Sequence, residues 1–150
     1  MADFFDFEAD FVESLRCIPM QVRFKLDTCG IKLKLPHWNH FTPAERQQLV
    51  TLPCVSEAEI QAYRQYLQQL VQSHTGELPA NLPVAPHPDW LDDATIPASV
   101  QAQAQTVGQS IRLEQWSSLA PVQRFALIKL SRSQHENKNF LPALQEFHLI

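Results

Sequence analysis

Histidines, cysteines and clustered basic residues are the side chains of this 150-residue chain that could carry chemistry. The run His135-Glu136-Asn137-Lys138-Asn139 partly matches a zinc-protease helix, in which two histidines four residues apart bind the metal. Asn139 stands where the second histidine is required, and we therefore expect no zinc there. His37 and His40 flank Trp38 but supply only two ligands, whereas a zinc site takes three or four.

The cysteines show no pattern of catalysis or metal binding. Cys17, Cys29 and Cys54 are odd in number and widely spaced, unlike a disulfide framework or an iron–sulfur site. We expect them to be reduced and mostly buried thiols in the cytoplasm. The chain has neither a glycine-rich phosphate loop nor a nucleophile motif. The sequence therefore predicts a protein that is not an enzyme and holds no cofactor.

Basic residues give a different candidate, between Arg124 and Lys138. The run Arg124–Arg132 carries apolar residues that can face a core, with basic residues at several angles around the helix. Residues 131–138 are all polar, which is more than a tight turn between two helices needs. This segment is either a self-bonded cap for the last helix or a recognition surface.

A repeated segment positions these candidates. Shifted by 78 positions without a gap, Ile18–Leu52 aligns onto Ile96–Leu130 with 11 of 35 residues identical. The identical pairs include residues with strong structural preferences, namely Pro19/Pro97, Gly30/Gly108, Trp38/Trp116, Pro43/Pro121 and Arg46/Arg124. We expect two copies of one helical unit, packed face to face because each is too small to bury its apolar side alone.

Within the first copy, helix signals surround a connector. Pro19 and Gly30 suit the start and the end of one helix. Residues Ile31–Leu35 alternate apolar residues with lysine, and we expect a short extended connector without a partner strand, continuing through Trp38. Thr42, Pro43 and Glu45 form a capping box that opens a second helix, which Pro53 ends.

Further helices are expected outside and within the second copy. Apolar spacing predicts a helix at Glu8–Cys17, and a Ser56/Glu59 box predicts another to about Ser73, stopped by Gly76. In the second copy, helices should begin at Pro97 and Pro121, the latter with a weaker cap because Ala120 replaces Thr42. A last helix is expected over Asn139–Phe147.

Residues 77–97 contain five prolines and predict a stiff connection between the copies. Its apolar residues could attach it to the core; they are Leu78, Leu82, Val84, Trp90 and Leu91. The predicted fold is all-α: one domain over residues 1–150, a helical bundle of two helix–extended connector–helix repeats joined by this Pro-rich linker.

Arg46 and Arg124 stand three residues after the helix-opening prolines, where the helix dipole disfavours a cation. One explanation is structural: each guanidinium binds a carbonyl or acid of the opposite copy, or stacks on its own Trp. The alternative is contact with a partner. A cleft between the copies lined by both arginines could also hold an anion.

Composition excludes two classes of partner. The net charge of −4 argues against nucleic-acid binding by phosphate neutralisation. No apolar run approaches the roughly 18 residues that span a bilayer, and the acidic start lacks the basic region of a signal peptide.

Five acids occupy the first 15 residues, and five bases with one acid occupy residues 16–34. Either the acidic arm covers this basic face, or the two form a dipolar surface that steers a charged partner.

Three longer strings resemble a known family. FVESLRCIPM (Phe11–Met20), RFKLDTCGIKL (Arg23–Leu33) and RFALIKLSR paired with HENKNFLPAL (Arg124–Leu144) resemble the nitrate-reductase-associated protein family, typical of photosynthetic bacteria and encoded near genes for nitrate assimilation and molybdenum-cofactor synthesis. The resemblance covers essentially the whole chain, with both ends and the Trp38 segment in register, and is weakest in the Pro-rich middle.

The resemblance implies a cytoplasmic accessory protein required for the assembly, maturation or activity of ferredoxin-dependent nitrate reductase. Nitrate reductase would be the partner, and no catalytic residue is implied. The likeness is concentrated in the candidate partner-binding residues Arg124, Lys129, Arg132, His135, Glu136, Asn137 and Lys138. The alternative is a small-molecule carrier that binds an anion or a molybdenum-cofactor precursor between the repeats at Arg46 and Arg124.

Overall fold

A computed structural model describes residues 4–9, 15, 17–133 and 137–150. These residues are mostly helical, with eight α-helices, three 3₁₀ helices and one two-stranded sheet, which confirms the mainly α-helical class. The chain divides into two compact units, residues 1–84 and 85–150. Each unit is described by itself.

Unit 1 contains four α-helices, a strand pair and a 3₁₀ helix. In chain order they are the 3₁₀ helix Asp6–Glu8, α1 (Met20–Cys29), β1 (Ile31–Lys32), α2 (Leu35–His40), α3 (Pro43–Thr51), α4 (Glu57–Thr75) and β2 (Ala80–Asn81). Its core is formed by buried side chains from all four α-helices and β1, among them Val22, Leu26, Ile31, Trp38, Leu49, Tyr63, Leu67 and Val71.

Local hydrogen bonds begin and end these helices as the sequence predicts. Thr42 Oγ1 accepts the Glu45 N–H at 3.1 Å, and Glu45 Oε1 accepts the Thr42 N–H at 2.8 Å. Ser56 and Glu59 form the same reciprocal pair at the start of α4, at 3.2 and 2.9 Å. Helices α1 and α4 end at glycines with φ of 79° and 75°, a conformation that side chains with a Cβ disfavour.

The prediction of an extended connector without a partner strand is wrong. Antiparallel pairing places Ile31 opposite Asn81 and Lys32 opposite Ala80. The next residues form α2, so Trp38 and its flanking histidines are helical. Two-residue strands leave too short a pattern to reveal a partner far along the chain, and Pro36 in the first turn suits a helix start that the alternation concealed.

The predicted helix Glu8–Cys17 falls largely on residues 10–14 and 16, which lie outside the described residues. Leu15 has a φ of 57°, so an α-helix does not continue through it to Cys17. The Glu8 carboxylate is buried, and its Oε2 accepts the N–H of Met20 at 3.1 Å. This bond ties the start of the described chain to the first turn of α1.

Unit 2 is arranged around one central helix. Its elements are the 3₁₀ helix Asp89–Leu91, α5 (Ala98–Thr106), α6 (Leu113–Ser117), α7 (Pro121–Arg132), the 3₁₀ helix Asn137–Asn139 and α8 (Phe140–Glu146). Helix α7 contacts α5, α8 and both 3₁₀ helices. Its apolar side joins a core that includes Val100, Ala104, Trp116, Phe125, Leu127, Leu130, Phe140 and Leu144.

The apolar residues of the Pro-rich connection differ in how far they are buried. Trp90 packs edge-on against Phe125, with ring centroids 5.1 Å apart. Leu78, Val84 and Leu91 are exposed, so their predicted attachment to the core is wrong. A segment without helical or strand periodicity does not reveal from hydrophobicity which side chains face inward.

In the described part of the chain, every helix is too short or too polar to cross a bilayer.

Candidate functional site

The predicted partner-binding residues that the structure describes occupy different environments in unit 2. Arg124 is 6% exposed, Lys129 is half-buried and Arg132 is exposed, all on α7. Asn137 and Lys138 are exposed in the 3₁₀ helix that follows. His135 and Glu136 lie outside the described residues.

We call Lys129, Arg132, Asn137 and Lys138 the basic end of α7. Lys129 and Arg132 are three residues apart and therefore share one side of the helix. Both belong to the last turn, where the helix dipole favours cations. The 3₁₀ helix that carries Asn137 and Lys138 contacts α7, so three basic residues lie at this end.

Arg132 has an acidic partner that the sequence did not reveal. Its Nη2 lies 3.3 Å from Asp89 Oδ2, and the two side chains are 55% and 60% exposed. An exposed ion pair of this kind stabilises a protein by only about 0–1 kcal/mol. Arg132 can therefore exchange Asp89 for a carboxylate of another protein at small cost.

Two aromatic rings pack next to the basic end of α7. Lys129 Nζ lies 5.3 Å from the ring centroid of Phe125, and Trp90 packs edge-on against the same ring. The cation–π contact restrains the lysine side chain. Basic charge is thus held on a rigid helix rather than on a mobile loop.

Arg124 serves the interior of unit 2. Its Nε donates to the carbonyl oxygen of Trp90 at 2.8 Å, and its Nη1 donates to that of Trp116 at 3.3 Å. The indole N–H of Trp116 in turn donates to the carbonyl oxygen of Asp92 at 2.9 Å. Because its guanidinium is buried and bonded to backbone carbonyls, Arg124 does not belong to the exposed surface.

Arg46 makes a similar set of bonds in unit 1. Its three guanidinium nitrogens donate to the carbonyl oxygens of Trp38, Leu15 and Asn39 at 3.1, 3.2 and 3.0 Å. The guanidinium carbon lies 5.9 Å from the Trp38 ring centroid. The indole N–H also donates to Leu15, at 2.8 Å. Both arginines bind carbonyls of their own unit instead of the expected opposite copy, and Arg46 stacks on its own Trp as expected.

Other inward-pointing cations in unit 1 are also bonded to the backbone. Lys25 Nζ donates to the carbonyl oxygens of Val50 and Leu52 at 2.6 and 2.7 Å, which satisfies the end of α3. Arg64 Nη1 donates to the carbonyl oxygens of Cys29 and Gly30, and its Nη2 donates to Asn81. These contacts hold α4 against α1 and the strand pair.

The buried thiols are poorly suited to chemistry. Burial raises the pKa of Cys29 to about 11 and that of Cys54 to about 12. Both thiols are free and protonated at neutral pH, whereas the thiolate is the nucleophile. Among the described residues, no group of three or more His, Cys, Asp or Glu side chains is placed to hold a metal ion.

Comparison with known proteins identifies a family. The family model described as conserved nitrate reductase-associated protein matches residues 4–147. No curated protein and no solved structure matches the chain.

Proposed function

The chain belongs to the conserved nitrate reductase-associated protein family, and from this premise we propose that it is a non-catalytic accessory protein that binds nitrate reductase. Binding serves the assembly, maturation or activity of the reductase in nitrate assimilation. The contact surface is the basic end of α7. His135 and Glu136, which stand between its members in the sequence, belong to the same proposed surface.

The observation that carries this proposal is the exposed state of Arg132 and Lys138. Arg132 is engaged only in a solvent-exposed pair with Asp89 among the described residues, and the Lys138 side chain has no bonded partner there. Charged groups with weak or no internal partners can pair with carboxylates of another protein without breaking the fold. The rigid α7 supplies a fixed geometry for that pairing.

A non-catalytic role agrees with how the inward-pointing reactive groups are used. Lys25, Arg46, Arg64 and Arg124 donate to backbone carbonyls, and the Cys29 thiol is kept protonated by burial. These bonds orient the helices, so these groups have a structural use. Free thiols also suit a reducing compartment, and we place the protein in the cytoplasm.

We also propose that the two units are copies of one repeated unit. Three helices of unit 1 begin at Met20, Leu35 and Pro43, and three of unit 2 begin at positions shifted by the same 78 residues: Ala98, Leu113 and Pro121. In each unit an arginine donates to the carbonyl of the tryptophan eight residues before it. This agreement supports descent of both units from one ancestral unit.

The contacts of Arg46 and Arg124 do not favour the alternative of an anion carrier. Each guanidinium already donates to two or more carbonyl oxygens of its own unit. An anion that displaced these bonds would cost the fold about 1.5–3 kcal/mol for each hydrogen bond from the charged group.

The test is co-purification of nitrate reductase with the tagged protein from a lysate of its own cells. We expect the double variant Arg132→Glu with Lys138→Glu to retain at least about tenfold less reductase, since reversal turns attraction into repulsion. Arg112→Glu is the matched control, because Arg112 is an exposed base of unit 2 at the start of α6. Undiminished retention by a folded double variant would remove the proposed surface.

A further inference from the structure

A second surface, in unit 1, combines exposed lysines with exposed leucines. Lys32 lies in β1 and Lys34 directly precedes α2, and both side chains are exposed. Leu35 is 48% exposed and Leu78 is 61% exposed. We call these four residues the β1 surface.

The strand pair places the lysines and Leu78 on neighbouring segments, and Leu35 follows Lys34 directly in the chain. Ile31 is buried and Lys32 is exposed, and side chains two apart along an extended chain share a face. Lys34 therefore follows Lys32 on the outer side. Lys32 pairs with Ala80, so Leu78 lies two residues away along the partner segment.

The electrostatics of His37 place the same segment beside α2. Burial and the charge of Lys34 lower the pKa of His37, while the charge of Glu77 opposes them. Both Lys34 and Glu77 are thus near the His37 ring, and Leu78 follows Glu77 in the chain.

Neither lysine is used by the fold. Within the described ranges, neither the Lys32 nor the Lys34 ammonium has a hydrogen-bond or ion-pair partner. By contrast, Lys25 caps α3 and Arg64 holds the strand pair. Positive charge without an internal role is notable on a chain whose net charge is −4.

The equivalent positions of unit 2 supply an internal comparison. Shifted by 78 residues, Lys34 and Leu35 correspond to Arg112 and Leu113, and Leu113 is also half exposed. Arg112 Nη1 lies 2.9 Å from Glu114 Oε1, whereas Pro36 stands in the place of Glu114 in unit 1. The apolar residue is shared by both units, but among the described residues Arg112 has an ion-pair partner and Lys34 has none.

We propose that the β1 surface is a docking site for an acidic protein surface that presents an exposed apolar side chain. Charge complementarity determines the kind of partner. Its carboxylates would pair with the two lysines, which would raise the association rate and orient the two proteins. Leu35 and Leu78 would supply the apolar contact that a purely electrostatic encounter lacks. This surface is separate in sequence and in unit from the basic end of α7.

The test is a titration of the isotope-labelled full-length protein, followed by amide NMR, which detects weak binding. The probe is a synthetic glutamate-rich peptide with two central leucines. We expect shift changes at Lys32, Lys34, Leu35 and Leu78, and none at Arg112. The double variant Lys32→Glu with Lys34→Glu should bind at least about fivefold more weakly, and Leu35→Ser should also weaken binding.

A control variant and control ligands test this proposal. Arg112→Glu should leave peptide affinity unchanged, because Glu114 already neutralises that arginine. Equal shifts around Arg112, or equal affinity for a peptide with serine in place of the leucines, would overturn the proposal. Tighter binding of oligothymidine would indicate a polyanion site instead. Shifts that change on dilution without peptide would indicate a second copy of this chain as the occupant.

Discussion

Arg46 donates a hydrogen bond from Nε to the carbonyl oxygen of Trp38 at 3.1 Å while its guanidinium lies over the indole ring. The two side chains thereby join the first turn of α3 to the end of α2. The indole N–H and Arg46 Nη1 also share the carbonyl oxygen of Leu15. A tryptophan and an arginine eight residues apart thus connect two helices and the chain that precedes α1.

Replacing either buried tryptophan should destabilise the protein strongly. Trp38 and Trp116 are both fully buried, and truncation leaves a large cavity. We expect Trp38→Ala and Trp116→Ala each to lower the free energy of unfolding by about 3–5 kcal/mol. Urea denaturation followed by circular dichroism measures this. A loss near zero at both positions would contradict the buried placement.

Arg124 should be needed for stability rather than for recognition. Arg124→Met keeps most of the apolar stem but removes the guanidinium donor of the Trp90 and Trp116 carbonyls, of which Trp116 keeps only the N–H of Leu119. We expect a loss of about 1–3 kcal/mol in the same denaturation experiment. Arg112→Met, at an exposed arginine, should change stability by less than about 0.5 kcal/mol. Equal effects of the two substitutions would refute the structural role.

Gly30 should tolerate a side chain less well than Gly76. Both have positive φ, so alanine costs roughly 1–2 kcal/mol at either position. A Cβ at Gly30 would also lie 2.7 Å from Val84 Cγ2 and 3.1 Å from the Leu82 carbonyl oxygen, whereas Gly76 has no such neighbour. We expect Gly30→Ala to cost at least about 1 kcal/mol more than Gly76→Ala. Similar melting temperatures for the two variants would argue against the close approach of the 82–84 segment.

Glu45 should contribute stability that is lost in acid. Burial would raise the pKa of Glu45, but the Thr42 N–H and the His74 ring 2.8 Å away outweigh it and lower the pKa below the ordinary value of 4.5. A depressed pKa in the folded state means that the contribution is complete above about pH 4.5 and disappears as the pH falls through the lower value.

The measurement is the melting temperature of wild type and Glu45→Gln at pH 7 and at pH 3. The variant should be less stable than wild type at pH 7, and the difference should shrink at pH 3. Glu57→Gln is the control, since Glu57 is exposed in the first turn of α4 and closes no capping box. A difference between wild type and Glu45→Gln that is independent of pH would contradict the role of the ionised carboxylate.

Cys29 and Cys54 should resist alkylation in the folded protein. Their pKa values of about 11 and about 12 keep the thiolate scarce at pH 8, and burial blocks access. Mass spectrometry after iodoacetamide treatment should find both unmodified in buffer and modified in denaturant. Rapid native labelling of either residue would show that its thiol is accessible.

The sequence predicts helix starts and ends where the interactions that form them are local. The Thr42/Glu45 and Ser56/Glu59 boxes and the left-handed glycines depend on bonds or dihedral angles within a few residues. That Arg132 and Lys138 form part of a partner-binding surface stays a prediction, although both side chains are exposed. Membership in the family was likewise carried by unbroken strings of residues.

Partners distant in the sequence were not predictable. The pairing of Ile31 with Asn81, the ion pair of Arg132 with Asp89 and the bond from Trp38 to Leu15 join residues whose types do not specify each other. The sequence does not show whether Arg124 faces solvent, an acid or the interior. Its burial in the structure settles this.

The sequence by itself determined where the capped helices α3 and α4 begin, where α1 and α4 end, and the family, because these follow from neighbouring residues. Only the tertiary structure decided that Arg46 and Arg124 bind carbonyls while Lys34 and Arg132 stay accessible. The reason is that a cation takes the acceptor brought nearest by packing, and packing depends on segments far apart along the chain.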